Sequence, residues 1–286
     1  MSELIDFIHS KTNTTMENQA FHFSPYVPLI SNLLRYFIFA GLAFLIVYKL
    51  FFNQFYKNKI QTRLAQKKDF LREIKHSFFS TLVFGIIGFG FIYSPLESYS
   101  LVYRHISDFP LWWLPVSVFL VLVIQDTYFY WMHKTIHSPK LFKRIHHIHH
   151  QSTNPSPWAA YSFHFIEAIL EAIIIPITIF IIPVHPLAIL AVTFISFFFS
   201  VYGHLGFEIM PKWFRNSFLF EIMSTSVHHN LHHSKFKGNY GLYFRVWDRI
   251  MNTENPNYTA EFDRIQENRF GKNIAYILTL DRIDQK

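Results

Sequence analysis

Five apolar stretches dominate this sequence and restrict it to a membrane-embedded, helical fold. The first runs from Leu33 to Phe52 and reaches the roughly 20 residues that a membrane-spanning helix needs. Four more stretches follow it along the chain: Phe78–Tyr93, Leu111–Ile124 with its continuation to Trp131, Phe165–Ile182, and Leu187–Tyr202. Only 16% of the residues are charged, whereas about a quarter are charged in soluble proteins. We therefore predict an all-α integral membrane helical bundle of four to five membrane helices, in which the last two stretches form a helical hairpin.

The loop between the first two stretches is strongly basic. Eight lysines and arginines lie between Lys49 and Lys75, but only two acidic residues, Asp69 and Glu73. Because cytoplasmic loops are enriched in Lys and Arg, we expect this loop in the cytoplasm. Counting crossings from there places the N-terminus outside, and places both the connection after the third stretch and the segment after the fifth inside. The chain is thus predicted to be multi-pass, with its histidine-rich segments on the cytoplasmic side.

Composition excludes several classes of site. The sequence contains no cysteine, which rules out disulfides, thiolate metal sites and iron–sulfur clusters. Its net charge of +7 is compatible with nucleic-acid binding. Since the apolar stretches already bring the chain to a membrane, we attribute this charge to anionic lipid headgroups and expect no nucleic acid partner.

Histidines are concentrated in two short segments. Ten of the 17 histidines lie within residues 133–150 and 228–233. They contain three groups whose members are three or four residues apart, a spacing that puts side chains on one helical face. These groups are His133 with His137, His146 with His149 and His150, and His229 with His232 and His233. Eight imidazoles exceed what one zinc ion takes, so the spacing predicts two metal ions.

The ligand type alone does not select the metal, because imidazole suits zinc, copper, iron and nickel. The context favours iron, since a metal pair at a bilayer surface beneath an apolar bundle is well placed to activate dioxygen against an alkyl chain or ring. A zinc-dependent membrane metallohydrolase is the alternative, although no HExxH motif places a glutamate between two ligands as a general base. A metal transporter is expected to carry its ligands along the spans, whereas these histidines follow them.

The pattern HxxxH, HxxHH and HxxHH resembles that of the fatty acid hydroxylase and sterol desaturase superfamily of integral-membrane di-iron oxidases, over roughly residues 70–252. Four further segments carry the resemblance: Arg72-Glu73-Ile74-Lys75, Ser162-Phe163-His164-Phe165-Ile166-Glu167, Asn239-Tyr240-Gly241 and Trp247-Asp248-Arg249. The first two are similar to segments of the C5-sterol desaturase-like subfamily, which we favour within the superfamily.

The resemblance implies two iron ions and O2 as co-substrate, with hydroxylation or desaturation of an unactivated C–H bond of a membrane lipid, sterol-like or fatty acyl. It assigns iron to all eight histidines of the three groups. A ninth ligand is expected at His204, where Tyr202-Gly203-His204 ends the fifth stretch; the alternative is a buried histidine bonded to a carboxylate. His164 has a lining or supporting role as its main alternative to metal binding. His147 and His228 are alternates if the helical phase differs by one residue.

Two carboxylates are candidate catalytic residues. Asp126 matches an acidic position of the family pattern, where it would accept the N–H of a ligating imidazole; a helix-end carboxylate that reaches toward water is the alternative. Glu167 lies one helical turn before Glu171 in an apolar stretch, where an unpaired carboxylate is expensive. We therefore expect a His or Arg partner for this pair, and whether Glu167 is catalytic or holds the hairpin stays open.

The sequence has no GxGxxG motif for a flavin or dinucleotide, and no space for a fused cytochrome b5 domain is expected. Electrons are therefore expected from a separate donor of cytochrome b5 or ferredoxin type, with its reductase. A basic surface at Lys143, Arg144, Lys235 and Lys237 either docks this donor or contacts lipid headgroups. We divide the chain into residues 1–76 (N-terminal segment, first membrane helix and basic loop), 77–252 (membrane and di-iron catalytic domain) and 253–286 (C-terminal cytoplasmic tail).

Overall fold

The computed structural model describes residue 24 and residues 26–271 of the chain. Within this part the backbone forms helices and turns, and extended pairing is limited to three isolated bridges. The all-α prediction is therefore confirmed. Parts of the predicted N-terminal segment and C-terminal tail, at residues 1–23, 25 and 272–286, lie outside the described residues.

Eight helices position the site. In chain order they are α1 (Val27–Phe44, continued by a π-helical turn at Leu45–Leu50), α2 (Lys67–Ile92), α3 (Trp113–Ile136), α4 (Phe165–Ala172), α5 (Ile174–Thr178), α6 (Pro186–Gly203), α7 (Ser226–Lys235) and α8 (Tyr258–Phe270). Shorter helical segments connect them at Phe52–Phe55, Tyr56–Asn58, Pro95–Tyr99, Ile106–Asp108, Pro139–Leu141, Phe142–His146, His147–His150, Pro157–Tyr161, Lys212–Asn216, Phe218–Ile222 and Val246–Ile250.

Four of these helical elements are long and apolar enough to cross a membrane: Val27–Leu50, α2, α3 and α6. Apolar side chains on their outer faces are exposed, as at Ile86, Phe119 and Phe198. This pattern is typical of helices that face lipid. The second helix begins eleven residues before the predicted apolar stretch, because the end of the basic loop is already helical and is capped where the Gln66 backbone N–H donates to Asp69 Oδ2 at 2.9 Å.

The fourth apolar stretch is not the continuous helix that we predicted. It forms α4 and α5, which contain eight and five residues and are too short to span a membrane singly. Pro176 explains the interruption, because proline lacks the N–H that would continue the α4 ladder. The stretch still runs through the bundle: its far end pairs with the loop before α3, where the Leu101 N–H donates to Ile179 O at 2.8 Å. Together α4 and α5 thus form the first arm of the predicted hairpin, and the continuous helix α6 forms the second.

Tight packing joins α1 to its neighbours. The backbone of α2 at Gly85 is so close to Leu29 that a Cβ added there would lie 2.8 Å from the Leu29 Cα. On its other side, α1 packs against α6 and the Pro157–Tyr161 segment through a buried cluster that contains Tyr36 and Phe197. These contacts hold α1, α2 and α6 together around a common interior.

Part of the segment that we assigned to a C-terminal tail forms helix α8, at residues 258–270. Helix α8 packs beneath α7, where Phe262 and Ile265 are fully buried. They share one apolar cluster with Ile60, Val227 and Leu231. Helix α8 is therefore part of the core that supports the third histidine group.

The basic loop and the histidine-rich segments lie at the same end of the bundle. The Gln61 side chain donates to the Thr153 carbonyl and to Asn230 Oδ1, each at 2.8 Å. Arg72 Nη2 donates to Ser152 Oγ at 3.3 Å. These three contacts require the loop before α2, the start of α2, the segment after the second histidine group and α7 to share one side of the membrane.

Candidate metal centre

All nine histidines predicted as ligands meet at this end of the bundle. His133 and His137 lie at the C-terminal end of α3, and His204 caps the C-terminus of α6. The second group lies on the turns at Phe142–His146 and His147–His150, and the third group lies on α7. The spacing of each group points its imidazoles inward, because residues three and four apart share a helical face.

The nine imidazoles divide into two clusters. In each cluster, the potential ligand atoms all lie within 4.8 Å of one another. The first cluster is His133, His137, His146, His150 and His232; the second cluster is His149, His204, His229 and His233. The second and third sequence groups contribute to both clusters, whereas both histidines of the first group belong to the first cluster. The second cluster contains His204 instead of a member of the first group.

The distances between Nε2 atoms fit metal coordination. In the first cluster, His150 Nε2 lies 3.0 Å from His232 Nε2 and 3.2 Å from His137 Nε2. In the second, His204 Nε2 lies 3.0 Å from His229 Nε2 and 3.3 Å from His149 Nε2. Neighbouring nitrogen ligands at about 2.0–2.1 Å from a metal ion are separated from one another by roughly 2.8–3.4 Å in octahedral or tetrahedral geometry.

Backbone carbonyls fix the tautomers of the first cluster. Nδ1 of His133 lies 2.9 Å from the Tyr240 carbonyl, Nδ1 of His137 lies 3.1 Å from the Phe236 carbonyl, and Nδ1 of His232 lies 2.7 Å from the Gly238 carbonyl. A carbonyl oxygen only accepts, so each Nδ1 carries the proton and each Nε2 presents a lone pair. Lone pairs that converge without a proton between them repel one another, and a cation relieves this repulsion. The donor set therefore fits a metal ion.

Burial keeps these imidazoles neutral. Loss of hydration lowers the pKa of His137 to about 2, with a further contribution from His232. Burial likewise lowers the pKa of His204 to about 4. The pKa values of the six other clustered histidines outside the membrane spans lie well below the usual value, with burial as the largest cause. Neutral imidazole is the form that binds metal.

Glu167 supplies the carboxylate that we expected from Asp126. Its Oε1 lies 2.6 Å from Nδ1 of His146, and both side chains are buried. This hydrogen bond fixes the tautomer of His146 as the carbonyls do for its neighbours. The His partner predicted for the apolar Glu167–Glu171 pair is therefore present for Glu167.

Asp126 contacts the backbone of the loop after α7. It is 1% exposed, so it does not reach toward water. Its Oδ1 accepts from the backbone N–H groups of Tyr243 (2.7 Å) and Phe244 (3.2 Å). The carboxylate ties α3 to the loop after α7, and among the described residues its hydrogen bonds involve no imidazole.

Three alternate histidines lie outside both clusters. His147 is exposed. His164 caps α4, where its Nδ1 accepts from the Ile166 N–H at 3.2 Å. His228 is buried, with its Nδ1 3.1 Å from Ser224 Oγ. None of the three is placed to bind metal with the nine.

The loop after α7 is held by Asp248, for which the sequence predicted no role. Asp248 Oδ1 accepts from the Tyr240 N–H at 2.9 Å and its Oδ2 accepts from the Gly241 N–H at 2.7 Å. A Cβ at Gly241 would lie 2.2 Å from the Phe244 carbonyl oxygen, so only glycine fits. This tight loop sets the Tyr240 carbonyl against His133. In the sequence, the resemblance of the segments Asn239-Tyr240-Gly241 and Trp247-Asp248-Arg249 to the family pattern was the sign that this loop matters.

A cavity of about 430 Å³ extends from the histidines into the bundle. Histidines of both clusters line one end, and apolar side chains such as Phe84, Phe129 and Ile189 line much of the rest. Volumes of this order are typical of sites for small lipid-like or cofactor-sized ligands. The arrangement brings an apolar ligand next to both clusters.

Comparisons with known proteins agree with this site. The fatty acid hydroxylase family matches residues 118–253. Lathosterol oxidase from Rattus norvegicus is 31% identical over 230 residues, which cover 78% of this chain and 72% of that protein. A Delta(7)-sterol 5(6)-desaturase from Gibberella zeae is 28% identical over 178 residues, 62% of this chain but only 54% of the desaturase. No solved structure matches the chain.

Identity of 31% across nearly three quarters of a relative's length is enough to assign a family. The family match contains most of α3, all of α6 and the residues of both clusters. The chain belongs to the fatty acid hydroxylase and sterol desaturase superfamily of integral membrane oxidoreductases that act on lipids, and within it to the C5-sterol desaturase-like subfamily.

Proposed function

We propose that this protein is an O2-dependent di-iron oxidase that hydroxylates or desaturates an unactivated C–H bond of a membrane lipid. The observation that carries the proposal is the pair of adjacent histidine clusters at one end of an apolar cavity. A single hydrolytic zinc needs three or four ligands, whereas nine imidazoles in two clusters suit two ions. Iron bound by the two clusters would supply the redox chemistry by which O2 oxidises a C–H bond.

The protein's own residues hold this centre and its substrate. The five histidines of the first cluster would bind one iron and the four of the second cluster the other, with His204 as the ligand from α6. Glu167 and the loop carbonyls keep the protons on Nδ1, so that every Nε2 in their reach stays available. The apolar wall excludes water and orients a hydrocarbon toward the clusters.

A sterol-like lipid is the substrate that the relatives favour, since the names of the matched proteins include lathosterol oxidase and Delta(7)-sterol 5(6)-desaturase. A fatty acyl substrate is the second candidate, because the matching family is named for fatty acid hydroxylases. Hydroxylation and desaturation begin with the same removal of a hydrogen. The choice between them depends on how the substrate carbon is placed in the cavity.

Electrons would enter from a separate acidic redox protein on the cytoplasmic side. Phe236 is 42% exposed, and its ring centroid lies 5.2 Å from that of His150. Its carbonyl accepts from His137, so this residue contacts two members of the first cluster. The exposed Lys235 and Lys237 flank it. The positive charge of these lysines, beside a residue that contacts the first cluster, supports docking of a cytochrome b5-type or ferredoxin-type donor with its reductase.

The experiment is an activity assay of the purified full chain in lipid nanodiscs, with a Δ7-sterol or a fatty acyl lipid, a reductase and its donor protein. We expect product only when both O2 and reductant are supplied. His149→Ala and His232→Ala, one from each cluster, should abolish turnover. The matched control is His147→Ala, because this exposed histidine lies between clustered ones and should leave activity unchanged. Product formed without O2 would overturn the proposal.

A further inference from the structure

The chain after α7 returns to the side of α3, between the histidine end and the middle of this helix. Trp247 Nε1 donates to Thr127 Oγ1 at 3.1 Å. The ring centroid of Trp247 also lies 5.6 Å from that of Trp131. Thr127 and Trp131 both belong to α3, which is long and apolar enough to cross a membrane. The short helix Val246–Ile250, which contains Trp247, therefore packs beside a membrane-spanning helix.

The length of α3 gives the depth of this contact. Its 24 residues measure about 36 Å at about 1.5 Å per residue, about 6 Å more than the roughly 30 Å thickness of the hydrocarbon core. Thr127 precedes Ile136, the last residue of α3, by nine residues or about 13 Å. Even if all the excess length projects from the histidine end, Thr127 lies about 7 Å inside the hydrocarbon core. Its contact with Trp247 thus places the helix Val246–Ile250 at the depth of the leaflet nearest to the histidine clusters.

A second short helix, Phe218–Ile222, is joined to this one by polar contacts. Arg249 Nη1 donates to the carbonyl oxygen of Glu221 and to its Oε2, each at 2.9 Å. Both side chains of this ion pair are about half exposed. We call Phe218–Ile222 and Val246–Ile250 the paired helices.

The paired helices expose large apolar side chains. Ile250 is 62% exposed and Phe218 is 76% exposed, and Val246 and Leu219 are exposed as well. Monomeric soluble proteins rarely expose large contiguous apolar patches. Beside an exposed ion pair, such side chains are typical of helices at a membrane surface, where apolar atoms enter the acyl region and charged atoms reach the headgroups.

The neighbouring surface of α3 indicates what covers these side chains. One face of α3 presents a residue at every fourth position: Phe119, Val123, Thr127 and Trp131. Phe119 and Val123 are exposed in the apolar part of the span, as expected of side chains that face lipid. Thr127 and Trp131 contact Trp247 further along the same face. The paired helices therefore continue a lipid-facing surface, and acyl chains are the occupant that this position favours.

We propose that the paired helices are embedded in the bilayer leaflet nearest to the histidine clusters, with their exposed apolar side chains among the acyl chains below the headgroups. The partner of this surface is lipid, and the inference does not depend on the reaction that the protein catalyses. Hydropathy gave no sign of this membrane contact, because each helix has only five residues. The contact also links the metal centre to the bilayer, since the Tyr240 carbonyl beside His133 lies six residues before Val246.

Single-cysteine labelling with a polarity-sensitive fluorophore tests this inference, because the chain has no native cysteine. Nitrobenzoxadiazole is attached to Phe218→Cys or Ile250→Cys of the full-length protein in phosphatidylcholine vesicles. We expect emission shifted to shorter wavelength, and stronger quenching by a nitroxide near the headgroup end of the lipid chain than by one near its methyl end. Val123→Cys, near the middle of α3, should show the reverse order. Lys237→Cys is the exposed control, which should emit as in water and resist both nitroxides.

Water-like emission without lipid quenching at both Phe218→Cys and Ile250→Cys would overturn the inference. A shift to shorter wavelength without quenching would also overturn it, because protein rather than lipid would then cover the helices. Metal content equal to that of the wild type shows that a labelled variant is folded, and Leu219→Cys and Val246→Cys repeat the measurement if a first variant is not. An inactive wild-type protein whose paired helices are quenched by lipid would refute the proposed function alone. An active one without this quenching would refute the membrane contact alone.

Discussion

The carboxylate of Glu167 lies 2.6 Å from Nδ1 of His146, so that helix α4 contacts the second histidine group from within the bundle. The two residues are 21 positions apart, and their side chains are 1% and 2% exposed. Because both side chains are buried, this hydrogen bond sets the orientation and tautomer of the imidazole. We therefore predict that Glu167 positions His146 rather than acting as a general base.

Glu167→Gln should lower metal affinity or activity about 10- to 100-fold, because a glutamine accepts more weakly and can present its NH2 group to His146. Metal content after dialysis against a chelator measures the effect. Glu171→Gln is the matched control, since this carboxylate lies one turn further on and makes no hydrogen bond to a histidine in the described part of the chain. Equal metal retention by both variants would refute the positioning role.

Asp126→Ala should reduce stability rather than change the chemistry at the metals. The variant leaves the buried N–H groups of Tyr243 and Phe244 without their acceptor, at a cost of about 1–3 kcal/mol. The thermal unfolding midpoint in detergent should fall, while the folded protein keeps its full metal content. A variant of normal stability that has lost metal would support the imidazole role that the sequence suggested.

Gly241→Ala should disturb the loop that holds His133. The added methyl would clash with the Phe244 carbonyl and displace the Tyr240 carbonyl, so we expect a loss of stability of about 2 kcal/mol or more together with weaker metal binding. Gly90→Ala is a suitable control. No atom lies within 4 Å of a Cβ at this helical position, so alanine should be neutral or stabilising there. If the two variants unfold at the same temperature, the loop is not constrained as described.

Cysteine labelling tests the sidedness of the membrane fold. The chain has no native cysteine, so single cysteines report without background. Lys68→Cys and Lys237→Cys should react with an impermeant maleimide from one side of sealed vesicles, and Tyr99→Cys from the other. All three positions are exposed. Labelling of residues 68 and 237 from opposite sides would contradict the fold, and labelling of both from outside the cell would contradict the proposed cytoplasmic orientation.

Local patterns account for the parts of the structure that the sequence predicted well. The apolar stretches gave the membrane helices, and the spacing of three and four residues gave the inward-facing groups. The sequence pointed to His204 because this residue follows the end of an apolar helix, which places it at the same membrane depth as the histidine groups. Each of these features depends only on residues that are near one another in the chain.

The features that the sequence did not predict depend on contacts between distant segments. Nothing near Asp126 or Glu167 shows that the first meets the backbone of residues 243 and 244 while the second meets His146. The break between α4 and α5 is different, because Pro176 marks it locally while hydropathy, apolar around Ile173, gives no sign of it. The division of nine histidines into clusters of five and four also arises only when four separate segments meet.

The central claim is that two metal ions, both iron, are bound by the two clusters. Elemental analysis of protein purified gently from iron-supplied cells tests it most directly, together with His149→Ala and His232→Ala. The account predicts about two irons per wild-type chain, reduced occupancy in each variant, and an unchanged count in His147→Ala. A single firmly bound zinc per chain, with no second site that iron can fill, would contradict the claim and favour a metallohydrolase.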